Sequence, residues 1–103
     1  MTRDLHARKL IVIITEAVLE RVLTEDVKRL GALGYTVYDV RGAGRRGERA
    51  GHWDADRNIE MKVIATEAVA QAISSHVLDT YGANYSVSLF LADVEVLRPE
   101  KFP

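Results

Sequence analysis

Cysteine is absent from this chain of 103 residues. That excludes disulfide staples, thiolate nucleophiles and cysteine-held zinc, and it fits a reducing compartment. Proline is scarce, and both prolines, Pro99 and Pro103, stand at the C-terminal end, where they stop the last extended segment. An excess of one charge is also lacking. Fourteen Lys+Arg against fifteen Asp+Glu leave a formal net charge of −1. Nucleic-acid binding through bulk charge normally shows a basic excess, so that class starts behind. No apolar run approaches the ~20 residues that span a bilayer. The longest, Leu10 to Ile14, follows Lys9 and gives way to Thr15-Glu16. It stands behind a charged N-terminal stretch without a signal-peptide cleavage pattern, so a cytoplasmic chain is expected. What is present is a globular balance, 48% hydrophobic and 28% charged. This excludes wholesale disorder and points to a single domain over residues 1–103 with a thin core.

The charge is unevenly spread. Ten of the basic residues are arginine, and Arg41, Arg45, Arg46 and Arg49 share a short stretch with Gly42, Gly44 and Gly47. Arginine forks onto phosphate or carboxylate, and glycine lets backbone N–H groups approach a ligand. The stretch reads as a specialised loop. There is also an internal echo: Ile13-Ile14-Thr15-Glu16-Ala17-Val18 returns as Ile64-Ala65-Thr66-Glu67-Ala68-Val69. In each copy an apolar run meets a Thr and then a helical pattern, as in two tandem β-α-β units.

Lys9 to Thr15 reads as a strand buried on both faces. Thr15 is placed to N-cap the helix that follows, whose apolar stripe is Leu19, Leu23, Val27 and Leu30. Gly31 and Gly34 are its stop signals. Tyr35 to Arg41 is a second strand. Gly42 to Arg57 is a long loop, and Ile59 to Ala65 a third strand. Thr66 caps a second helix with Val69, Ile73, Val77 and Tyr81 on its stripe, ended by Gly82. Tyr85 to Leu97 is the last strand. The order β-α-β-β-α-β predicts an α+β, ferredoxin-like sandwich, an antiparallel four-stranded sheet with both helices on one face. The strands are apolar on both sides, so the uncovered face is expected to be buried by self-association.

Gly42-Ala43-Gly44-Arg45-Arg46-Gly47 matches G-x-G-x-x-G literally and follows a strand. The dinucleotide fingerprint also needs a helix opening inside the motif, and none follows here. Two readings remain, a solvated loop and an anion site. In the second, backbone N–H groups near Gly42 and Gly44 form a nest while Arg45 and Arg46 clamp phosphate. Hairpin connections are normally far shorter, and loops of this length are usually functional or disordered. Gly34-Tyr35-Thr36 either marks a helix stop and strand start or frames a pocket in which Thr36 bonds a base or ribose. His6, His52 and His76 lack metal-ligand spacing, and His52 with Asp54 is at most a weak metal site. His76 reads as a packed helix residue. Trp53 is either a loop anchor or a partner hot spot. No nucleophile–base pair can be drawn, so no hydrolase is expected.

The segment Gly34-Tyr35-Thr36-Val37-Tyr38-Asp39-Val40-Arg41-Gly42-Ala43-Gly44-Arg45 resembles the strand-into-T-loop signature of the PII signalling superfamily, close to G-x-T-V-x-x-V-x-G-x-G-R. Lys9-Leu10-Ile11-Val12-Ile13 and Asn58-Ile59-Glu60-Met61-Lys62-Val63 fit as well, so the resemblance covers about Lys9 to Arg98. It implies a non-catalytic homotrimer that binds adenine nucleotide in clefts between subunits and signals through the T-loop, here about residues 42–57. Carried over by position, Gly42, Ala43, Gly44, Arg45 and Arg46 would line the phosphates from one subunit. Ile14, Val63 and Ile64 would sandwich the base. Gly34, Tyr35 and Thr36, with Lys62 and Arg98, would approach from the neighbouring subunit.

The chain departs from nitrogen-regulatory PII proteins at two places. Its loop holds no tyrosine to uridylylate. In place of their Gly- and Lys-rich B-loop stands Asp79-Thr80-Tyr81-Gly82-Ala83-Asn84-Tyr85, without lysine. Fewer positive charges would face a γ-phosphate, so ADP or AMP is expected over ATP, with cyclic AMP a further candidate. These departures resemble the PII-like proteins of inorganic carbon uptake, the SbtB-like and carboxysome-associated kind. That branch implies bicarbonate as a second ligand and a bicarbonate transporter or carboxysome-linked protein as partner. It implies no tightly bound cofactor. SbtB-like chains often end in a cysteine-containing hairpin, which this chain lacks, so the carboxysome-associated kind is the nearer likeness. Two alternatives share the fold. An RNA-recognition module would stack bases on aromatics of the central strands, and Lys9–Thr15 and Ile59–Ala65 contain none. A metal-tolerance protein would need clustered ligands, which the spacing does not supply.

Overall fold

The computed structural model describes residues 3–44, 47–49 and 57–103. Strand β1 runs His6–Glu16, a 3-10 turn spans Ala17–Leu19, and helix α1 spans Glu20–Arg29. Then come β2 (Thr36–Val40), β3 (Gly42–Gly44), β4 (Gly47–Arg49), β5 (Asn58–Ala65), α2 (Glu67–Tyr81) and β6 (Ser88–Val96), with a final 3-10 turn at Pro99–Lys101. β2, β5, β1 and β6 form, in that order, one sheet with every pairing antiparallel. This is the expected α+β, ferredoxin-like arrangement. The expected long loop departs from simple coil: β3 and β4 pair as a short two-stranded ladder, Gly42 opposite Arg49 and Gly44 opposite Gly47.

The register explains which face is covered. Ile11 lies opposite Val63 and Leu91, and Ile13 opposite Met61 and Leu89. These residues share one face because side chains alternate along a strand. Ile11, Ile13, Met61, Val63 and Ala65 pack with Leu23 and Val27 of α1 and with Ala70, Ile73 and Val77 of α2 in a single core. Both helices therefore lie on that face. Burying one such aliphatic side chain contributes roughly 1.5–3 kcal/mol. The opposite face carries Leu10, Val12, Ile14, Val40, Ile64, Phe90, Ala92, Val94 and Val96 by the same register, and no helix covers it. Phe90 there is 54% exposed. Among the described residues no helix is long and apolar enough to cross a membrane.

The two helices start differently, although their sequences echo one another. Thr66 caps α2 as expected, its hydroxyl accepting from the Val69 N–H at 3.5 Å. Thr15 does not cap α1. It is fully buried at the end of β1, and its hydroxyl donates to the Glu16 carboxylate at 2.9 Å. Glu16 in turn accepts from the Ser86 N–H at 2.9 and 3.1 Å, which holds it to the entry of β6. The strand continues through Glu16, and the chain winds into α1 through the 3-10 turn. At the far end of α1, Gly31 adopts φ 121°, as a helix stop requires. Gly34 is not part of that stop, because the Leu30, Gly31 and Ala32 N–H groups already close the turn onto Asp26, Lys28 and Val27.

The last strand begins later than expected. Tyr85 donates its N–H back to Tyr81 at 3.0 Å, and Val87 donates to Tyr85 at 3.0 Å, so the chain turns at residues 82–84 and bends at Tyr85 before β6 begins. Tyr85 packs edge-on against Tyr81, with ring centroids 6.2 Å apart. At the C-terminus of α2 there is no room for a side chain at Gly82, since a Cβ there would lie 2.5 Å from the Leu78 carbonyl oxygen.

Candidate functional site

A groove of about 520 Å³ opens at one end of the uncovered sheet face. Its floor is the cross-strand pair Leu10 and Ile64. One wall is the turn after α1, residues Leu33, Gly34, Tyr35 and Thr36, with Lys62 beside Thr36 across the β2–β5 ladder. The other wall is the C-terminal turn, Glu100, Lys101 and Phe102. The lining joins apolar and aromatic surface to two ammonium groups and one carboxylate. Such a surface suits a flat ring carrying an anionic tail. Tyr35 is 39% exposed, and Lys28 Nζ lies 5.5 Å from its ring centre.

Lys62 is held charged. The Tyr38 hydroxyl beside it and the Glu60 carboxylate keep its ammonium above the ordinary lysine range. Its Nζ lies 3.7 Å from Glu60 Oε2 and 5.4 Å from the Tyr38 ring centre. Tyr38 donates its hydroxyl to Glu60. The alternation of β2 and β5 puts Tyr38, Glu60 and Lys62 on one face, which fixes this arrangement.

The other end of β2 holds a second feature. Asp39, Val40, Arg41, Arg57 and Asn58 line a pocket of about 260 Å³ at the base of the β3–β4 ladder. Arg57 Nη2 lies 3.3 Å from Asp39 Oδ1, and its carbonyl accepts from the Ala17 N–H at 2.8 Å. Gly42 opens into space, with nothing within 4 Å of a built Cβ. Gly42, Ala43 and Gly44 form β3 here. Arg45 and Arg46, the expected phosphate clamp, lie outside the described residues, as do His52, Trp53 and Asp54.

The expected site residues thus separate into two groups on one chain. Gly34, Tyr35, Thr36, Lys62 and Ile64 converge on the groove. Gly42, Ala43 and Gly44 stand in β3, past the far end of β2 from the groove. The residues expected to sandwich the base are spread out on one chain. Ile14 lies opposite Glu60, whereas Ile64 lies opposite Leu10, so four residues, about 13 Å of strand, separate them. Val63 is 1% exposed in the helix-facing core, so its side chain cannot reach the open face. Ile64 belongs with Lys62 and the Gly34–Thr36 turn. Arg98 is exposed, 3.9 Å from Glu100, and lies outside the groove lining. Leu10, Leu33, Glu100, Lys101 and Phe102 were not foreseen as lining. The available signal was an aromatic, Phe102, just after a proline turn.

Other chemistries find little support. Among the described residues no group of three or more His, Asp or Glu could hold a metal. His76 Nε2 lies 2.9 Å from Asp26 Oδ2 and so ties the helices together. The central strands β5 and β1 carry no aromatic, as an RNA-stacking platform would need.

Residues 8–101 match the family model of the nitrogen regulatory protein P-II. The chain belongs to the P-II family. It is a PII-like signalling protein. A PII-like signaling protein from Thermus thermophilus is 41% identical over 97% of this chain and 99% of its own, with a TM-score of 0.84. CPII, a nitrogen regulatory PII-like protein from Thiomonas intermedia, was solved with ADP, AMP and bicarbonate. It is 27% identical over 98% of each chain, with a TM-score of 0.89. GlnK of B. subtilis, solved with ATP, is 11% identical at a TM-score of 0.64 and shares the fold.

Proposed function

We propose that this chain is a non-catalytic sensor of adenine nucleotide, ADP or AMP ahead of ATP and cyclic AMP, with bicarbonate as a second ligand. It acts as a homotrimer in the cytoplasm, each copy a single domain. It regulates inorganic carbon uptake by presenting residues 42–57 to a transporter or a carboxysome-linked protein. One observation carries the reading: the two candidate residue groups lie at opposite ends of β2 on one chain. A complete site therefore needs the groove of one copy and the loop of another. Gly42, Ala43, Gly44, Arg45 and Arg46 would hold the phosphates, with Ile14 and Arg98 near the cleft. Tyr35, Thr36, Lys62 and Ile64 would take the nucleoside. The likeness to CPII, solved with ADP, AMP and bicarbonate, supports the ligand pair. The lysine-free segment 79–85 supports a preference for fewer phosphates, since each missing cation removes a charge-assisted contact.

The test is calorimetric titration of the chain with AMP, ADP, ATP and cyclic AMP, with and without bicarbonate. Saturation near one nucleotide per subunit, tightened by bicarbonate, is the expected outcome, and the coupling must be reciprocal. Binding indifferent to bicarbonate would remove carbon sensing. Silence with all four nucleotides would refute the reading.

A further inference from the structure

We propose that Arg8 is a positioning residue of the groove: it latches the C-terminal turn Pro99–Phe102 in place as the groove's far wall, and so sets how tightly the groove holds its ligand. The affinity part rests on the nucleotide reading above; the latch itself does not. Arg8 stands on β1 two residues before Leu10, on the same face as the groove floor. Its Nε donates to the Phe102 carbonyl at 2.6 Å, and its Nη2 to the Pro99 carbonyl at 3.4 Å. Its Nη1 donates to the Ala7 carbonyl at 2.8 Å, which steadies the fork against its own strand. These acceptors are neutral, so the contact is a geometric clasp that only a planar, multi-pronged donor makes.

Among the described residues, the wall's other hydrogen bonds are short-range ones within the turn itself. Within the turn, Lys101 donates its N–H to Arg98 at 3.1 Å, and Phe102 donates to Pro99 at 3.0 Å. A single 3-10 turn at a chain end frays readily. The Arg8 bonds join it to a strand more than ninety positions earlier. If the wall swings away, Leu10 and Ile64 lose the cover of Phe102, and the slot facing Tyr35 becomes an open shelf. A ligand must then order the wall as it binds and gives up affinity in doing so.

The test combines amide hydrogen exchange with ADP titration on the full chain, comparing Arg8→Ala and Arg8→Lys with the wild type. Lys keeps the charge but loses the fork. In both variants the Lys101 and Phe102 amides are expected to exchange faster while β5 amides stay protected. Arg8→Ala is expected to weaken ADP about tenfold. Because Arg8 acts through the wall, Arg8→Ala combined with Phe102→Ala is expected to lose no more than the larger single loss. Unchanged exchange at the two amides overturns the latch. Faster exchange with unchanged affinity, or losses that multiply, overturns the positioning role. If Arg8→Ala loses β5 protection as well, Arg8→Lys decides by the same criteria. If the wild type binds no ADP, the functional reading and the affinity role fall together, and the exchange data still judge the latch.

Discussion

Replacing Phe90 with Asp will dissociate the assembly on which the proposed function depends. Phe90 sits on the edge strand β6 on the uncovered sheet face, opposite Val12 of β1, and 54% of it is exposed. A phenylalanine presents roughly 150–250 Å² of surface, so about 100 Å² remains for a partner to bury. At ~25 cal/mol per Å² this is about 2.5 kcal/mol for each copy. The substitution also places a carboxylate beside Val12 and Ala92 on the same face, and burying it unpaired would cost several kcal/mol more. The sum, repeated in every copy, lowers the association constant by many powers of ten. Sedimentation or light scattering across the micromolar range reads the result. Leu78→Asp is the control, since Leu78 is 50% exposed on α2, on the helical side of the sheet. The expected outcome is a monomeric Phe90→Asp chain with native helix content and an unchanged Leu78→Asp assembly. A Phe90→Asp chain that assembles like the wild type would refute the assignment of the open face to self-association.

Asp26 and Tyr81 predict a stability profile with two limbs. Burial alone would raise the Asp26 pKa, but hydrogen bonds from Tyr81 (2.6 Å), His76 and Arg29 hold it below the usual carboxylate value. Its contribution is present above about pH 4 and is lost as the pH falls through the lowered value. Asp26→Asn will flatten that acid limb in urea titrations. Burial, then the bond to Asp26, pushes the Tyr81 hydroxyl up to about 12. That contribution is complete below pH ~10 and lost as the pH rises through the raised value, so Tyr81→Phe will show a shallower alkaline limb. Identical limbs in the wild type and both variants would show that the cluster does not couple to folding. Gly31→Ala will cost about 1–2 kcal/mol or more, because φ is 121° and the new Cβ would lie 3.1 Å from Val69 Cγ2. Gly34→Ala, with nothing within 4 Å, will stay within about 0.5 kcal/mol, and equal melting temperatures for the two would contradict the assignment. Thr66→Ala will destabilise by about 1 kcal/mol through loss of the α2 cap, measurable as a drop of several degrees in Tm.

Much of the architecture was legible because it is written in local patterns. The β-branched run at Leu10–Ile14, the stripe Leu23–Val27 and the stripe Ile73–Val77 each carry their own period, and a period needs no distant partner to be read. The Gly34–Arg45 segment carried the family in the same local way. Local reading failed where a distant residue took over a group. Thr15 and Thr66 sit in matching sequences, yet only Thr66 caps a helix, because Ser86 claims Glu16 and draws β1 one residue further. The site shows the same division. Glycines and arginines around position 42 marked a specialised loop by composition alone. That Ile64 faces Leu10 and not Ile14, and that Val63 turns inward, follow from strand register, which one strand's sequence does not contain. The groove's far wall depends on Arg8 meeting carbonyls at the opposite end of the chain. Side-chain types and periods therefore settled the fold class and the chemistry to look for. Which residues share a cavity was decided only when the sheet brought residues far apart in sequence into hydrogen-bonding distance.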